Sequence, residues 1–413
     1  MTDILKLSEL TTVIARGISP KYTEGDGVMV LNQRCVQDQT ISYENHRRND
    51  VALRNVSSQK SLKPFDILVN STGVGTLGRV AQIKTLSEPI ITVDSHVTIV
   101  RPDPERISPR FLGFSVRGNQ KIIEEMAEGA TGQTELSRTR LGELMIYVPL
   151  LPTQKKIASI LSAYDDLIEN NNRRIQILEE MAQRIYREWF VHFRFPGHEN
   201  VKMVDSELGR IPEGWEVAKV TDLARLLSGF SFKSNTYVEN GRYGVVTIKN
   251  VHDGSFSPIT DNQINEIPDS MPEHCHLETG DIIISLTGNV GRVCMVHGES
   301  LLLNQRVAKI VPITGLPVSY IYYAFRDSRF QQYLENIATG TAQANLSPVE
   351  TGKVSLINPP GELLKNYGML MEPLITSIFR LTQQTETLRK TRDLLLPRLI
   401  SGRLDVENLD IAG

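Results

Sequence analysis

Asn358-Pro359-Pro360 is the stretch of this sequence that most looks like a catalytic motif. In enzymes that act on adenine, such an Asn and a neighbouring carbonyl hold the amino group, while an aromatic fourth residue stacks on the flipped base. Here the fourth residue is Gly361, which has no ring to stack. No glycine-rich strand-to-helix turn accompanies the motif to bind a methyl donor. His274, Cys275, His276, Cys294 and His297 have the ligand types of a zinc site. Adjacent residues on an extended chain point to opposite sides, however, and the spacing matches no common zinc pattern, so no metal is expected. Glu-x-Lys and Asp-x-Lys pairs are absent, which argues against a metal-dependent nuclease core. The only Gly-Lys pair, Gly352-Lys353, lacks the context of a phosphate-binding loop. The expectation is a chain without catalytic residues and without a cofactor of its own.

Bulk properties narrow the class further. The 413 residues, 40% hydrophobic and 23% charged, suit an ordinary globular protein of more than one domain. Three cysteines, Cys35, Cys275 and Cys294, make no disulfide framework and fit a reducing cytoplasm. No apolar stretch is long enough to span a bilayer, so no membrane partner is expected. With a net charge of −3, any positive surface for nucleic acid must be local, or a larger assembly must supply it.

The elements that would position functional loops occur twice. Lys6-Leu7-Ser8-Glu9-Leu10 is answered by Lys219-Val220-Thr221-Asp222-Leu223, and Gly27 to Leu31 by Gly244 to Ile248. Leu62, Asp66-Ile67 and Thr72-Gly73 return at unchanged spacing as Leu277, Asp281-Ile282 and Thr287-Gly288. Gly78-Arg79-Val80 returns as Gly291-Arg292-Val293, and Thr131-Gly132 with Leu136-Ser137 as Thr339-Gly340 with Leu346-Ser347. A unit of about half the chain, repeated once with loop indels, is a domain plus a connector rather than a solenoid repeat. Short β-rich runs ending in glycine turns predict a mixed, sheet-rich domain in each copy.

Each copy closes on a helical seam. Ile157, Leu161, Tyr164, Ile168, Asn171, Ile175, Leu178, Ala182, Ile185 and Trp189 recur at alternating steps of four and three. Leu364, Tyr367, Met371, Leu374, Ile378, Leu381, Thr385, Leu388, Arg392, Leu395 and Leu399 keep the same steps in the same phase, with Pro373 expected to kink or loosen the first turns. A helix over 153–190 would be roughly 57 Å long. The predicted fold is α+β: two similar mixed, sheet-rich domains joined by two long antiparallel coiled-coil helices with pseudo-two-fold symmetry. Its segments are a first domain over 1–150, a central helix over 151–197, a second domain over 198–358, and a distal helix and tail over 359–413. The register of greatest overlap sets Ile157 opposite Leu399, Trp189 opposite Tyr367 and Asn171 opposite Thr385. Such a pair would act as a ruler, holding two readers about one turn of DNA apart, ~34 Å.

Further patterns carry a family resemblance. They are Tyr186-Arg187-Glu188-Trp189-Phe190-Val191, Ile211-Pro212-Glu213-Gly214-Trp215, Asn345-Leu346-Ser347, Leu394-Leu395-Leu396-Pro397 and Leu399-Ile400-Ser401-Gly402. With the repeat and the paired helices, the whole chain resembles the specificity (S) subunits of type I restriction-modification systems. It departs from the family's pattern at Thr153-Gln154 and at Gln133-Thr134-Glu135. The resemblance implies a non-catalytic, cytoplasmic, prokaryotic subunit that reads a bipartite, asymmetric site in double-stranded DNA. It also implies two methyltransferase (M) subunits and restriction-translocase (R) subunits as partners, which use S-adenosylmethionine, ATP and Mg. The competing reading is a coiled-coil adaptor whose paired domains bind protein instead of DNA.

Base edges are read by Arg, Lys, Asn, Gln, Ser or Thr on loops able to enter a groove. The glycine turns supply Ser71, Thr72 and Arg79 in one copy and Thr287, Asn289 and Arg292 in the other. Gln133, Arg138 and Arg140, with Gln343 and Asn345, form a second set, and Asn32, Gln33 and Arg34, with Lys249 and Asn250, a third. Residues common to both copies, such as Arg79 and Arg292, suit phosphate or structural roles. Residues that read bases should differ between the copies, because the half-sites differ.

Overall fold

A computed structural model describes residues 3–37, 39–129, 134–340, 344–407 and 409. The chain divides into two compact units, Met1–Glu169 with Glu386–Gly413, and Asn170–Thr385. The helices are not separate pieces in this division: each unit comprises one sheet-rich domain with portions of both helices.

In the first unit, an antiparallel sheet runs Thr11–Arg16, Val97–Pro102, Ile67–Asn70 and Val80–Gln82 in that order. In the second, Ala224–Ser228, Val307–Pro312, Ile282–Ser285 and Val293–Met295 repeat the order and the directions. The central strand Ile67–Asn70 is buried along its whole length, as is Ile282–Ser285. Such uninterrupted apolar runs form strands covered on both faces. The two-residue period then divides the side chains between two cores. Ile67 and Val69 join a helical layer, whereas Leu68 faces a smaller sheet. Ile282 and Ile284 are separated from Ile283 in the same way. The smaller sheet contains one parallel pair in each unit, Val28–Leu31 with Ile91–Val93, and Tyr243–Val246 with Leu301–Leu303.

The helical layer of the first unit contains Pro109–Gly118, the start of the central helix and the end of the distal one, with Ile157, Leu161, Leu396 and Leu399 in one core. In the second unit, Val318–Arg326 and Ser328–Ile337 pack with Ala182, Tyr186, Leu364, Tyr367 and Met371. The central helix spans Leu151–Tyr186 and widens into a π-type turn over Arg187–Val191. The distal helix spans Gly361–Ile400 as one continuous run that includes Pro373. Gly402, with φ +71°, ends it in the left-handed conformation. Within the first unit, the burial of Ile157 with Leu399 and the Asp165–Arg392 ion pair (2.9 Å) show the helices antiparallel.

None of the seam positions is exposed. Ile157, Leu161, Ile168, Asn171, Leu364, Tyr367, Met371, Leu381, Thr385 and Leu399 are buried. Tyr164, Ile175, Leu178, Ile185, Trp189, Leu374, Ile378, Leu388 and Leu395 are half-buried. The rings of Trp189 and Tyr367 lie 5.7 Å apart. Arg392, on the seam, is buried against Asp165, which also takes Arg117 at 2.7 Å.

Candidate nucleic-acid interface

In each unit the chain turns at one end of the main sheet, and backbone bonds tie three turns together there. In the first unit, Ser71 N–H donates to His96 O (2.8 Å) and Leu136 N–H to Ser71 O (2.9 Å), and Thr72 bridges Glu135. In the second, Leu286 N–H donates to Arg306 O (2.9 Å) and Leu346 N–H to Leu286 O (2.7 Å), and Thr287 bridges Asn345. The glycine turn therefore lies between two other segments, in the same order in both copies. Gly73 and Gly78 in one copy, and Gly288 and Gly291 in the other, all take positive φ. Their recurrence in the sequence thus reflects a backbone that other residues adopt only under strain. The Asn32–Arg34 turn joins this end too, since Asn70 Nδ2 donates to Gln33 O at 2.9 Å.

The candidate readers separate by what their side chains do. Ser71 faces inward, fully buried, with its hydroxyl 2.6 Å from that of Thr98, so it is corrected from a reader to a core residue. Asn250 is corrected likewise: it is buried, donates to Ser257 O and Ile259 O, and accepts from Thr247 N–H. Asn32 caps Arg34 N–H and donates to Asn45 O, which uses its side chain to hold the turn. Arg79 folds back onto Gly75 O at 2.8 Å, and Arg292 is half-buried with its N–H donating to the Ser285 hydroxyl. Arg140 is held by Glu128 and Glu143, and Lys249 by Asp261 at 2.8 Å. Exposed Arg34, Arg138, Asn289 and Asn345 remain open to a ligand. Thr72 is half-buried, with its hydroxyl 2.7 Å from His96 Nδ1. The Thr287 hydroxyl is buried without a hydrogen-bond partner among the described residues. Gln133 and Gln343 lie outside the described residues.

Sequence reasoning missed the third turn. Asp94 Oδ1 accepts from His96 N–H (2.9 Å), and Asn304 Oδ1 from Arg306 N–H (3.1 Å), so one side-chain-capped turn recurs. His96, Gln305 and Arg306 are exposed on it and Ser95 is half-buried. The available signal was the repeat of a small polar acceptor two residues before a changed side chain. Arg16 was missed as well: it donates to Ser95 O, Leu136 O and Glu135, clamping two of the turns. Burial pulls the Arg16 guanidinium down against the opposing pull of Glu135, and Arg138 pushes the same way as burial. Lys60 is lowered by burial and then by Arg54 and Arg138. Arg16, Arg54, Lys60 and Arg138 thus lie close enough to act on one another, with Glu135 paired to Arg16 among them.

A sequence profile described as the type I restriction modification DNA specificity domain matches residues 42–180 and again 212–368. The chain belongs to this family of type I restriction-modification specificity subunits. It is 27% identical to the MjaIX specificity subunit of Methanocaldococcus jannaschii, over 98% of this chain and 94% of that protein. It is 23% identical to the HindI specificity subunit of Haemophilus influenzae, over 84% of this chain and 88% of that one. The crystal structure of the type I S subunit from M. genitalium shares the fold, with TM-score 0.56 at 15% identity over 98% of this chain and 97% of that one. Family membership favours DNA recognition over the adaptor reading. Among the described residues no helix is long and apolar enough to cross a membrane.

Proposed function

We propose that this chain reads a bipartite, asymmetric site in double-stranded DNA, each domain taking one half-site. It does so as a cytoplasmic subunit that docks two M subunits and the R subunits of its system. The chain itself performs no chemistry and binds no cofactor; S-adenosylmethionine, ATP and Mg serve the partners. The observation that supports this reading is the pair of loop clusters, built on one backbone scheme but carrying different exposed side chains. Two readers of one architecture with different tips suit two unlike half-sites. Exposed Leu167, Ile177, Met181, Met369, Leu370 and Leu394 lie on the long helices off the seam and offer apolar surface to partner subunits.

Mapping methylated adenines in DNA treated with the complex of this chain and its methyltransferase tests the reading. The expected outcome is one split motif. Exchanging residues 198–358 for the equivalent segment of another family member should then change one half-site and leave the other intact. A change in both halves, or methylation without a split motif, overturns it. Purified chain alone, given labelled methyl donor and DNA, should incorporate no label.

A further inference from the structure

The two copies act as an internal control for which positions read sequence. A reading position should share its backbone in both copies, be open to a ligand in both, and carry different chemistry. Arg79 and Arg292, and Thr72 and Thr287, fail because they are the same residue. Ser71 and Asn250 fail because they are buried. Arg34 and Lys249 keep one charge, which a phosphate would satisfy. The positions that pass lie on the capped turn, where Ser95-His96 faces Gln305-Arg306 across the repeat, and at Glu135 against Asn345.

We infer that the turn capped by Asp94 or Asn304 is the specificity-determining element of each domain, and that Arg306 reads a guanine in the second domain's half-site. This rests on the proposed reading of DNA. Arg306 is exposed and has no carboxylate partner among the described residues. Its backbone is fixed on both sides of the side chain, by Arg306 N–H to Asn304 Oδ1 and by Leu286 N–H to Arg306 O. A planar fork on a rigid turn suits the paired O6 and N7 acceptors of guanine in the major groove. Gln305 and Asn345 flank it with amides, the group that pairs with adenine N6 and N7. In the first domain the same backbone position holds His96, whose Nδ1 is taken by Thr72, leaving Nε2 for a single hydrogen bond. Glu135 in place of Asn345 bonds Arg16 through Oε1 but is exposed and keeps Oε2 as an acceptor, which suits the cytosine N4 amino group. The two domains would therefore prefer different bases with the same loops.

The test uses the complex of the full chain with its methyltransferase and maps methylation for Arg306→Ala, Arg306→Lys and Arg138→Ala. Arg306→Ala should relax one guanine position in one half-site, with discrimination there falling roughly 5- to 150-fold. The other half-site should be unchanged. Arg306→Lys should retain part of the preference, because it keeps the charge but loses the fork. Arg138→Ala should weaken methylation evenly across sequences and lower the salt dependence by about one phosphate. If Arg306→Ala instead weakens all sites evenly, or relaxes a position other than guanine, the assignment is wrong. A wild-type complex that methylates without a split motif would overturn the underlying reading instead, so the two failures are distinct.

Discussion

Asp94 and Asn304 hold the same turn with different charge, and the difference sets a pH dependence in the first domain. Burial raises the Asp94 carboxyl above its ordinary value, against the smaller opposing effects of the His96 N–H and the His96 ring. A carboxyl raised on folding stabilises the native state fully below its unfolded pKa, and that contribution is lost as pH rises through the folded value. At neutral pH the charge is therefore carried at a cost. Asn304 shows that an amide caps the turn without it. Asp94→Asn should raise the Tm at pH 7.5 by a few degrees, at roughly 2–8 °C per kcal/mol, and the gain should vanish near pH 3. Thermal unfolding at both values checks this; a lower Tm at pH 7.5 contradicts it. Other residue-scale features were only partly legible. Asp66 and Asp281 stand out in the repeat, and each bonds a turn N–H and a basic side chain on the neighbouring strand. Their recurrence marks a scaffold. Ser71 and Asn250 looked like readers because a polar turn residue has the same sequence signature whether it faces water or the core.

At the scale of elements, the two periods were legible because burial enforces them. The two-residue alternation of the central strands and the four-three spacing of the seams both follow from apolar faces that must be covered. The motif Tyr186 to Val191 has a packing explanation: Phe190 stacks edge-on against Tyr320 at 4.9 Å and Tyr367 at 4.8 Å, with Trp215 at 5.9 Å. Gln154, in a stretch that departs from the family pattern, accepts Ser108 N–H and donates to Pro149 O, joining the helix start to the domain. What the sequence concealed was close approach between distant segments. A Cβ on Gly17 would lie 2.0 Å from Val93 O, and one on Gly229 would lie 2.3 Å from Asn304 O. Both carbonyls belong to the chain leading into the capped turn. Gly229→Ala should cost about 3 kcal/mol by overpacking and, by shifting that turn, blur the half-site read with Arg306. Denaturant unfolding and methylation mapping measure the two effects, and a variant as stable as wild type refutes the close approach. On the distal helix, the Thr385 hydroxyl is buried without a partner among the described residues. Thr385→Val should therefore stabilise by about 1 kcal/mol, which the urea midpoint would show; a loss of stability would mean that the hydroxyl is bonded.

Across the whole molecule, the repeat and the paired seams were readable because both are patterns of many residues, whereas the reading surface was not. Loops converge through backbone bonds that leave no periodic trace. Both helices pass from one compact unit to the other as single runs, Leu151–Tyr186 across the boundary at Glu169 and Gly361–Ile400 across the boundary at Thr385. The boundary falls where Asn171 and Thr385 place polar groups in buried seams, a device that can fix register at some cost in stability. If the helices set the spacing between the half-sites, lengthening both by one heptad there should lengthen the unread spacer. Seven residues preserve the four-three phase and so keep each seam covered. They add ~10 Å of helix, close to three base-pair steps of ~3.4 Å. Inserting one heptad after Asn171 and another before Thr385 should give a folded chain whose methylated motif has the same two half-sites and a spacer longer by about three base pairs. Circular dichroism establishes that the chain is folded, and methylation mapping measures the spacer. An active complex with an unchanged spacer would mean that the helices hold the readers without measuring the distance between them.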